Sequence, residues 1–313
     1  PFAYRVLTPW LIREAVDAIP PSVVSKMNIT KDGEPRRLEA MERTRWNGHS
    51  IPVFVVSYLL VWLLNFSLLY NWRALFKAYG FSPAMSDLAP ALSALIVQIL
   101  FAKSGYIYDY PELLFFSLGL LLFKQQKWLA YYLVFALAVL NKETALLMGA
   151  YFVPFLFGQT RRFVSHAAIH ALIALPILFV IRWWLRERAG VEAEFHLFNN
   201  LRFLASSEPW FKFVGVFAYQ LPSPRGFNFL NILIFVLPVW WCRKIIDKAL
   251  LYPFLIMLLC LFPLFIVFGN TDEFRVFVPA VPVFMLLYAK TIQQLFKQHY
   301  AKSAKADYEV THE

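Results

Sequence analysis

Long apolar runs separated by short polar stretches dominate the chain. Nine such runs stand out, at 52–70, 88–102, 111–123, 128–140, 145–157, 166–185, 227–242, 249–268 and 276–296. A helix needs about 20 apolar residues to cross roughly 30 Å of hydrocarbon. The first, sixth, eighth and ninth runs approach that length, the second to fifth fall short, and the seventh is borderline. An α-helix rises about 1.5 Å per residue, so 128–140 and 145–157 either extend into their flanks or form a hairpin that stops short of the far side. The pattern predicts an all-α fold: a polytopic transmembrane helix bundle of about nine membrane segments, several of them short.

The first 51 residues carry a different pattern. Thr8 is placed to cap a helix with Pro9 at its first position. Leu11, Ile12, Ala15, Val16 and Ile19 then share one face, with Arg13, Glu14 and Asp17 opposite. Stretch 36–46 is patterned more weakly, through Leu38, Met41 and Trp46. Both suit helices lying flat on a membrane surface. Three regions follow: a non-cytoplasmic loop with interfacial amphipathic helices (1–51), a transmembrane helical domain (52–296, including an outside loop at 186–226), and a polar tail (297–313).

Composition agrees. Hydrophobic residues make up 59% of the 313-residue chain and charged residues 16%, against about 25% charged in soluble domains. Aromatic residues reach 18%, including 32 Phe, which suits a lipid-facing surface with interfacial rings.

The net charge of +10 does not point to nucleic acid, because the basic residues fall in short clusters between apolar runs rather than along one stripe. Twelve Lys and Arg lie in one alternating set of connections and the tail, against Lys103, Lys142 and Arg275 in the opposite short loops. Positively charged loops stay cytoplasmic, which puts the C-terminus inside and the 1–51 and 186–226 segments outside. Fifteen of the twenty Asp and Glu then lie outside, and function is expected on that face.

Two cysteines, Cys242 and Cys260, each within an apolar run, make neither a disulfide framework nor a zinc site. His166 and His170 have the i, i+4 spacing of a metal pair, but they sit at the cytoplasmic entrance of the sixth run and read more simply as interfacial polar residues. Asn28-Ile29-Thr30 fits a short glycosylation acceptor. Gly-rich phosphate loops, a nucleophile elbow and a Cys/His nucleophile pair are absent from the sequence.

Four outside clusters can carry chemistry, each with a plainer alternative. In Pro1-Phe2-Ala3-Tyr4-Arg5-Val6-Leu7-Thr8-Pro9, the forked donors of Arg5 suit a phosphate or simply grip lipid headgroups. In Tyr106-Ile107-Tyr108-Asp109-Tyr110-Pro111-Glu112, Asp109 and Glu112 stand at the outer start of a helix. They can take a proton, bind a divalent cation, or complement the helix dipole. In Asn141-Lys142-Glu143-Thr144, Lys142 is a point charge for phosphate oriented by Glu143, or the two neutralise each other at a hairpin tip. In Gly269-Asn270-Thr271-Asp272-Glu273-Phe274-Arg275, Arg275 is the phosphate ligand of an active site, or the loop is solvated and internally paired.

These features together resemble the GT-C superfamily of integral-membrane glycosyltransferases, which use polyprenyl-phosphate-linked sugars. The resemblance rests on the Pro-Phe-Ala-Tyr-Arg-Val-Leu-Thr-Pro segment running into interfacial helices, the short segments around Asn141-Lys142-Glu143-Thr144, the 186–226 outside loop, and the Asp272-Glu273-Phe274-Arg275 loop. It implies a carboxylate that deprotonates or orients an acceptor hydroxyl, with or without a divalent cation (Mg or Mn). It also implies basic residues that stabilise charge on the departing lipid phosphate, here Arg5, Lys142 and Arg275.

The family's principal acid lies just after a first spanning helix. The chain opens at Pro1 in what reads as mid-sequence, so that helix and its acid are expected to precede it. Asp109, Glu112, Glu143 and Asp272 are the carboxylates that stand in for it here. The resemblance implies an enzyme with three partners: membrane lipids, a polyprenyl-phosphate sugar, and a glycan, lipid or protein acceptor; the style of the sequence suggests a bacterial inner membrane. Two other readings stand beside it. One is a transporter or flippase of a lipid-linked or anionic substrate, and the other is a non-catalytic membrane subunit.

Overall fold

The computed structural model describes residues 6–28, 51–101, 106–186, 195–215, 222–224, 226–244, 247–271 and 273–311. The fold is helical, apart from a short antiparallel ribbon pairing Phe213–Gly215 with Pro222–Pro224. The helices are α1 (Leu7–Asp17), α2 (Pro21–Asn28), α3 (Ile51–Ala78), α4 (Pro83–Phe101), α5 (Asp109–Lys124), α6 (Trp128–Asn141), a long 3₁₀ helix (Glu143–Phe157), α7 (Thr160–Trp184), α8 (Leu197–Ala205), α9 (Glu208–Phe211), α10 (Phe229–Trp241), α11 (Lys248–Phe268), a short 3₁₀ helix (Phe274–Ala280) and α12 (Val281–Thr311). The weakly patterned 36–46 stretch, Ile29 and Thr30 lie outside the described residues.

Among the described residues, four stretches are long and apolar enough to cross a membrane: α3, α7, α11, and the continuous run Phe274–Phe296 that joins the short 3₁₀ helix to α12. They correspond to the four longest apolar runs of the sequence. The last is the central one, with 61% of its apolar window buried against 22% for α3 and for α7. Helices α4 and α5 and the long 3₁₀ helix pack against it, and α6 packs on α5 and the long 3₁₀ helix.

Burial is inverted relative to a water-soluble protein. Leu129, Leu133 and Leu137 on α6, Leu172, Leu175 and Phe179 on α7, and Leu259 on α11 all point outward, a face that only an apolar surrounding satisfies. The interior holds Trp72, Phe76, Phe116, Tyr131, Phe135, Met148, Tyr151 and Phe152. Polar groups on the outer faces are satisfied within their own helix. Asn65 Nδ2 donates to the Val61 carbonyl at 2.8 Å and Ser67 Oγ to the Leu63 carbonyl at 2.9 Å, as a solvent without hydrogen bonds demands.

The 145–157 run departs from the expectation of a short α-helix. It lies in a 3₁₀ helix of 15 residues, which rises about 2.0 Å per residue rather than 1.5. The stretch therefore covers about 30 Å, the thickness of the hydrocarbon, without extending far into its flanks. The last turn closes at Gly158, whose φ of 139° suits glycine. Close packing accompanies the stretch: a Cβ on Gly119 of α5 would stand 2.2 Å from the Met148 methyl.

Thr8 also departs from expectation. The helix begins two residues earlier, Val6 is its N-cap, and no side chain caps it. The Thr8 hydroxyl is buried and turned elsewhere, toward the functional site. Helix α1 itself lies on α3 and α6 with most of its surface exposed.

Candidate functional site

Three loops separated by long stretches of sequence meet at one end of the bundle. The first is the entry to α5. Tyr108 is the N-cap residue, and Asp109 and Glu112 fall in the first turn, where the helix dipole favours anions. The Tyr106 backbone N–H donates to Asp109 Oδ2 at 2.9 Å, which fixes the carboxylate against its own loop.

The second is the joint between α6 and the long 3₁₀ helix. The joint is one extended residue, Lys142, at φ −163° and ψ 139°. An abrupt change of backbone there throws the Lys142 side chain sideways onto α5. Its Nζ lies 2.6 Å from Glu112 Oε2 and 3.2 Å from Asp109 Oδ1. Thr144 donates its hydroxyl proton to Glu112 Oε1.

The third is the loop before the short 3₁₀ helix. Arg275 pairs with Glu273 through its Nε and a terminal nitrogen, and its other terminal nitrogen lies 3.5 Å from Asp109 Oδ2. Glu273 Oε2 also accepts from the Asn270 N–H at 2.6 Å.

Asp109 is thus the hub, touched by Lys142 on one oxygen and Arg275 on the other. Every charged member of the network is nearly sealed, with Asp109 0%, Glu112 2%, Glu273 6%, Arg275 6% and Lys142 8% exposed. Three carboxylates face two cations, one formal negative charge in excess. Buried charges persist only when paired and hydrogen-bonded, and here each one is.

Asn141 ties a fourth segment to this cluster. Its Nδ2 donates to the Tyr108 carbonyl at 2.9 Å, and its Oδ1 accepts from the Thr8 hydroxyl at 2.7 Å. The Val6 N–H donates to the Leu140 carbonyl at 3.3 Å. Helix α1 is thereby fastened over the joint that presents Lys142.

Of the seven residues the sequence proposes, Asp109, Glu112, Lys142 and Arg275 come together. Glu143 does not join them: its side chain is exposed and makes no ion pair or hydrogen bond among the described residues. The expectation that Glu143 orients or neutralises Lys142 is corrected, because Asp109 and Glu112 take that place. Arg5 and Asp272 lie outside the described residues. Glu273, Thr144 and Asn141, which the sequence reading named only as members of their clusters, belong to the network, and so does Thr8, which it read as a helix cap. For Glu273, Thr144 and Asn141 the only signal was proximity to a flagged charge.

Among the described residues, no group of three or more His, Cys, Asp and Glu is arranged to hold a metal ion. Both oxygens of Asp109 and both of Glu112 already serve Lys142, Arg275, Thr144 or the Tyr106 N–H. That donor set does not fit a divalent cation. The histidine pair is likewise committed. His166 bonds to the Tyr132 hydroxyl, while His170 meets the Tyr131 hydroxyl at 3.1 Å and the His166 carbonyl at 2.9 Å.

Beside the third loop opens an apolar groove of about 300 Å³ between α10, α11 and the start of α12. Phe227, Phe235, Phe254, Phe262, Phe274 and Phe284 line it. Phe274 belongs to both regions: it faces the groove and precedes Arg275.

The fold and the site define a helical protein with several helices able to span a membrane, and with a buried ionic cluster at one end of the bundle. No protein-family model, curated protein or solved structure matches the chain.

Proposed function

We propose that this chain is an integral-membrane glycosyltransferase of the GT-C kind. It moves a sugar from a polyprenyl-phosphate donor to an acceptor at the non-cytoplasmic face, in cell-envelope glycan assembly of a bacterial inner membrane. The observation that carries this reading is the convergence of Asp109, Lys142 and Arg275 from three distant loops into one cluster flanked by an aromatic groove. A lipid-linked donor has the same two parts, a charged headgroup joined to a long apolar tail. The groove beginning at Phe274 suits the tail and the cations beside it suit the phosphate.

In this reading the chain crosses the bilayer nine times. The Lys124–Lys127, Arg161–Arg162 and Arg243–Lys248 connections and the C-terminus are cytoplasmic, and the cluster lies outside. Helix α5, at 16 residues, rises about 24 Å, less than the hydrocarbon thickness. Its outer end is therefore recessed below the headgroups, and α1 covers it. That recess excludes water, which strengthens charge interactions inside it.

The chemistry follows. A carboxylate takes the proton of the acceptor hydroxyl, and that oxygen forms a bond to the anomeric carbon. The bond from the anomeric carbon to the phosphate oxygen breaks, and its electron pair leaves with the polyprenyl phosphate. Lys142 and Arg275 stabilise the charge that develops there. Asp109 is held by Lys142 and Arg275, and Glu112 by Lys142 and the Thr144 hydroxyl, so among the described candidate carboxylates Glu143, exposed next to Lys142 in the chain, is the one left to receive a proton.

A flippase or transporter is the second reading, and the complete internal pairing of the cluster favours it, since such a network also serves as a lock. Sugar transfer in proteoliposomes from a panel of polyprenyl-phosphate sugars separates the two. The enzyme reading expects transfer by the wild type and loss of at least a hundredfold in Glu143→Gln and Arg275→Ala, about the share one acid–base or charge-stabilising group supplies. Folded protein with no transfer from any donor, but with donor flux across the bilayer, overturns it in favour of the transporter.

A further inference from the structure

The two cations of the cluster are held by rings as well as by carboxylates. The Arg275 guanidinium carbon lies 3.7 Å from the centroid of the Tyr106 ring. Tyr106 stacks on Tyr108, with centroids 5.1 Å apart and planes 18° from parallel. Lys142 Nζ lies over the Tyr108 ring, 5.8 Å from its centroid. Cation, ring, ring and cation thus follow one another. Asp109 closes the series into a loop, with Oδ1 3.2 Å from Lys142 and Oδ2 3.5 Å from Arg275.

Two consequences follow. An aromatic face attracts a cation, and a pair of stacked rings cannot be compressed, so Tyr106 and Tyr108 set how far apart Lys142 and Arg275 stand. Second, the two oxygens of Asp109 each serve a different cation, which is how two oxygens of one phosphate bridge a pair of positive groups. The Asp109 carboxylate is an internal anion occupying the position between them.

We propose that Tyr106 and Tyr108 are the spacer of a two-cation clamp for a phosphate monoester, which takes the place now held by the Asp109 carboxylate. The inference rests on the reading of the cluster as the site of a lipid-linked phosphate, and adds what sets its affinity. Tyr106 and Tyr108 are positioning residues that act through Arg275 and Lys142. The tyrosine hydroxyls have no part in the spacing; the rings do.

The test is binding of a long-chain isoprenyl phosphate to the full chain in lipid nanodiscs, with the matching isoprenyl alcohol and inorganic phosphate as comparisons. The clamp requires the wild type to prefer the phosphate over the alcohol. Tyr106→Leu should weaken phosphate binding about tenfold, the range of one cation–ring contact, and leave alcohol binding as it was. Tyr106→Phe should stay within about twofold, because the ring is kept. Asp109→Asn, which keeps the shape but removes the competing anion, should tighten phosphate binding about tenfold, a gain that a merely structural role does not give. Competition by inorganic phosphate would show that the free anion suffices. Its absence, with the alcohol still discriminated, would show that the lipid must present it; both support the clamp.

Equal binding of phosphate and alcohol by the wild type overturns the phosphate site and the clamp together. Preference by the wild type that Tyr106→Leu leaves intact overturns the spacer alone. Weaker or unchanged binding in Asp109→Asn removes the displaced-anion idea, even where Tyr106→Leu proves unstable.

Discussion

Lys142 is the residue on which the cluster turns. It supplies positive charge to both Glu112 and Asp109, at 2.6 and 3.2 Å, and all three side chains are buried. Removing one member of a buried pair leaves the other uncompensated, at a cost of about 3–5 kcal/mol. Lys142→Met should therefore lower stability by that order, read as a large fall in the thermal midpoint of the detergent-solubilised protein. Glu143→Gln, one position along but exposed, should shift the same midpoint by no more than about 0.5 kcal/mol equivalent. Equal effects would mean that the two neighbours share one environment, contrary to the geometry. The sequence marked Lys142 and Arg275 because charges between apolar runs are costly. It could not tell which adjacent carboxylate pairs with Lys142, since Glu112 and Asp109 are about thirty positions away in the chain and near only in space.

The long 3₁₀ helix is the element for which sequence pattern was least informative. An apolar run of 13 residues looks the same whether its backbone bonds close over three residues or four. Only packing against α5, α6, α7 and α11 settled the tighter winding, which stretches Glu143–Phe157 to the length of the hydrocarbon. Single cysteines at Glu143 and at Gly158, in a background lacking Cys242 and Cys260, provide the check. Membrane-impermeant thiol reagents should reach the first from one side of the bilayer and the second from the other. Labelling of both from the same side would mean that the stretch turns back within the membrane. By contrast α3, α7 and α11 were legible as elements, because a run near 20 apolar residues leaves a helix little alternative in lipid.

At the scale of the molecule, the reading of orientation makes its own prediction. A cysteine or protease site placed after Lys297 should be accessible from the cytoplasmic side of sealed right-side-out vesicles only after they are opened, and one in the α8–α9 region without opening. The reverse result would place the ionic cluster on the cytoplasmic face and remove the proposed outside chemistry.

The sequence by itself determined that the chain is helical and apolar enough to span a membrane, where its four longest apolar stretches lie, and which loops carry unpaired-looking charge. Those properties are local sums of side-chain hydrophobicity and charge, and they need no partner to be read. Tertiary structure alone decided that Asp109, Lys142 and Arg275 form one network, that Thr8 serves Asn141 rather than capping α1, and that Glu143 is left outside. Such outcomes depend on which helix ends lie side by side. Ion pairing and hydrogen bonding act over a few ångströms of space, whatever the distance along the chain.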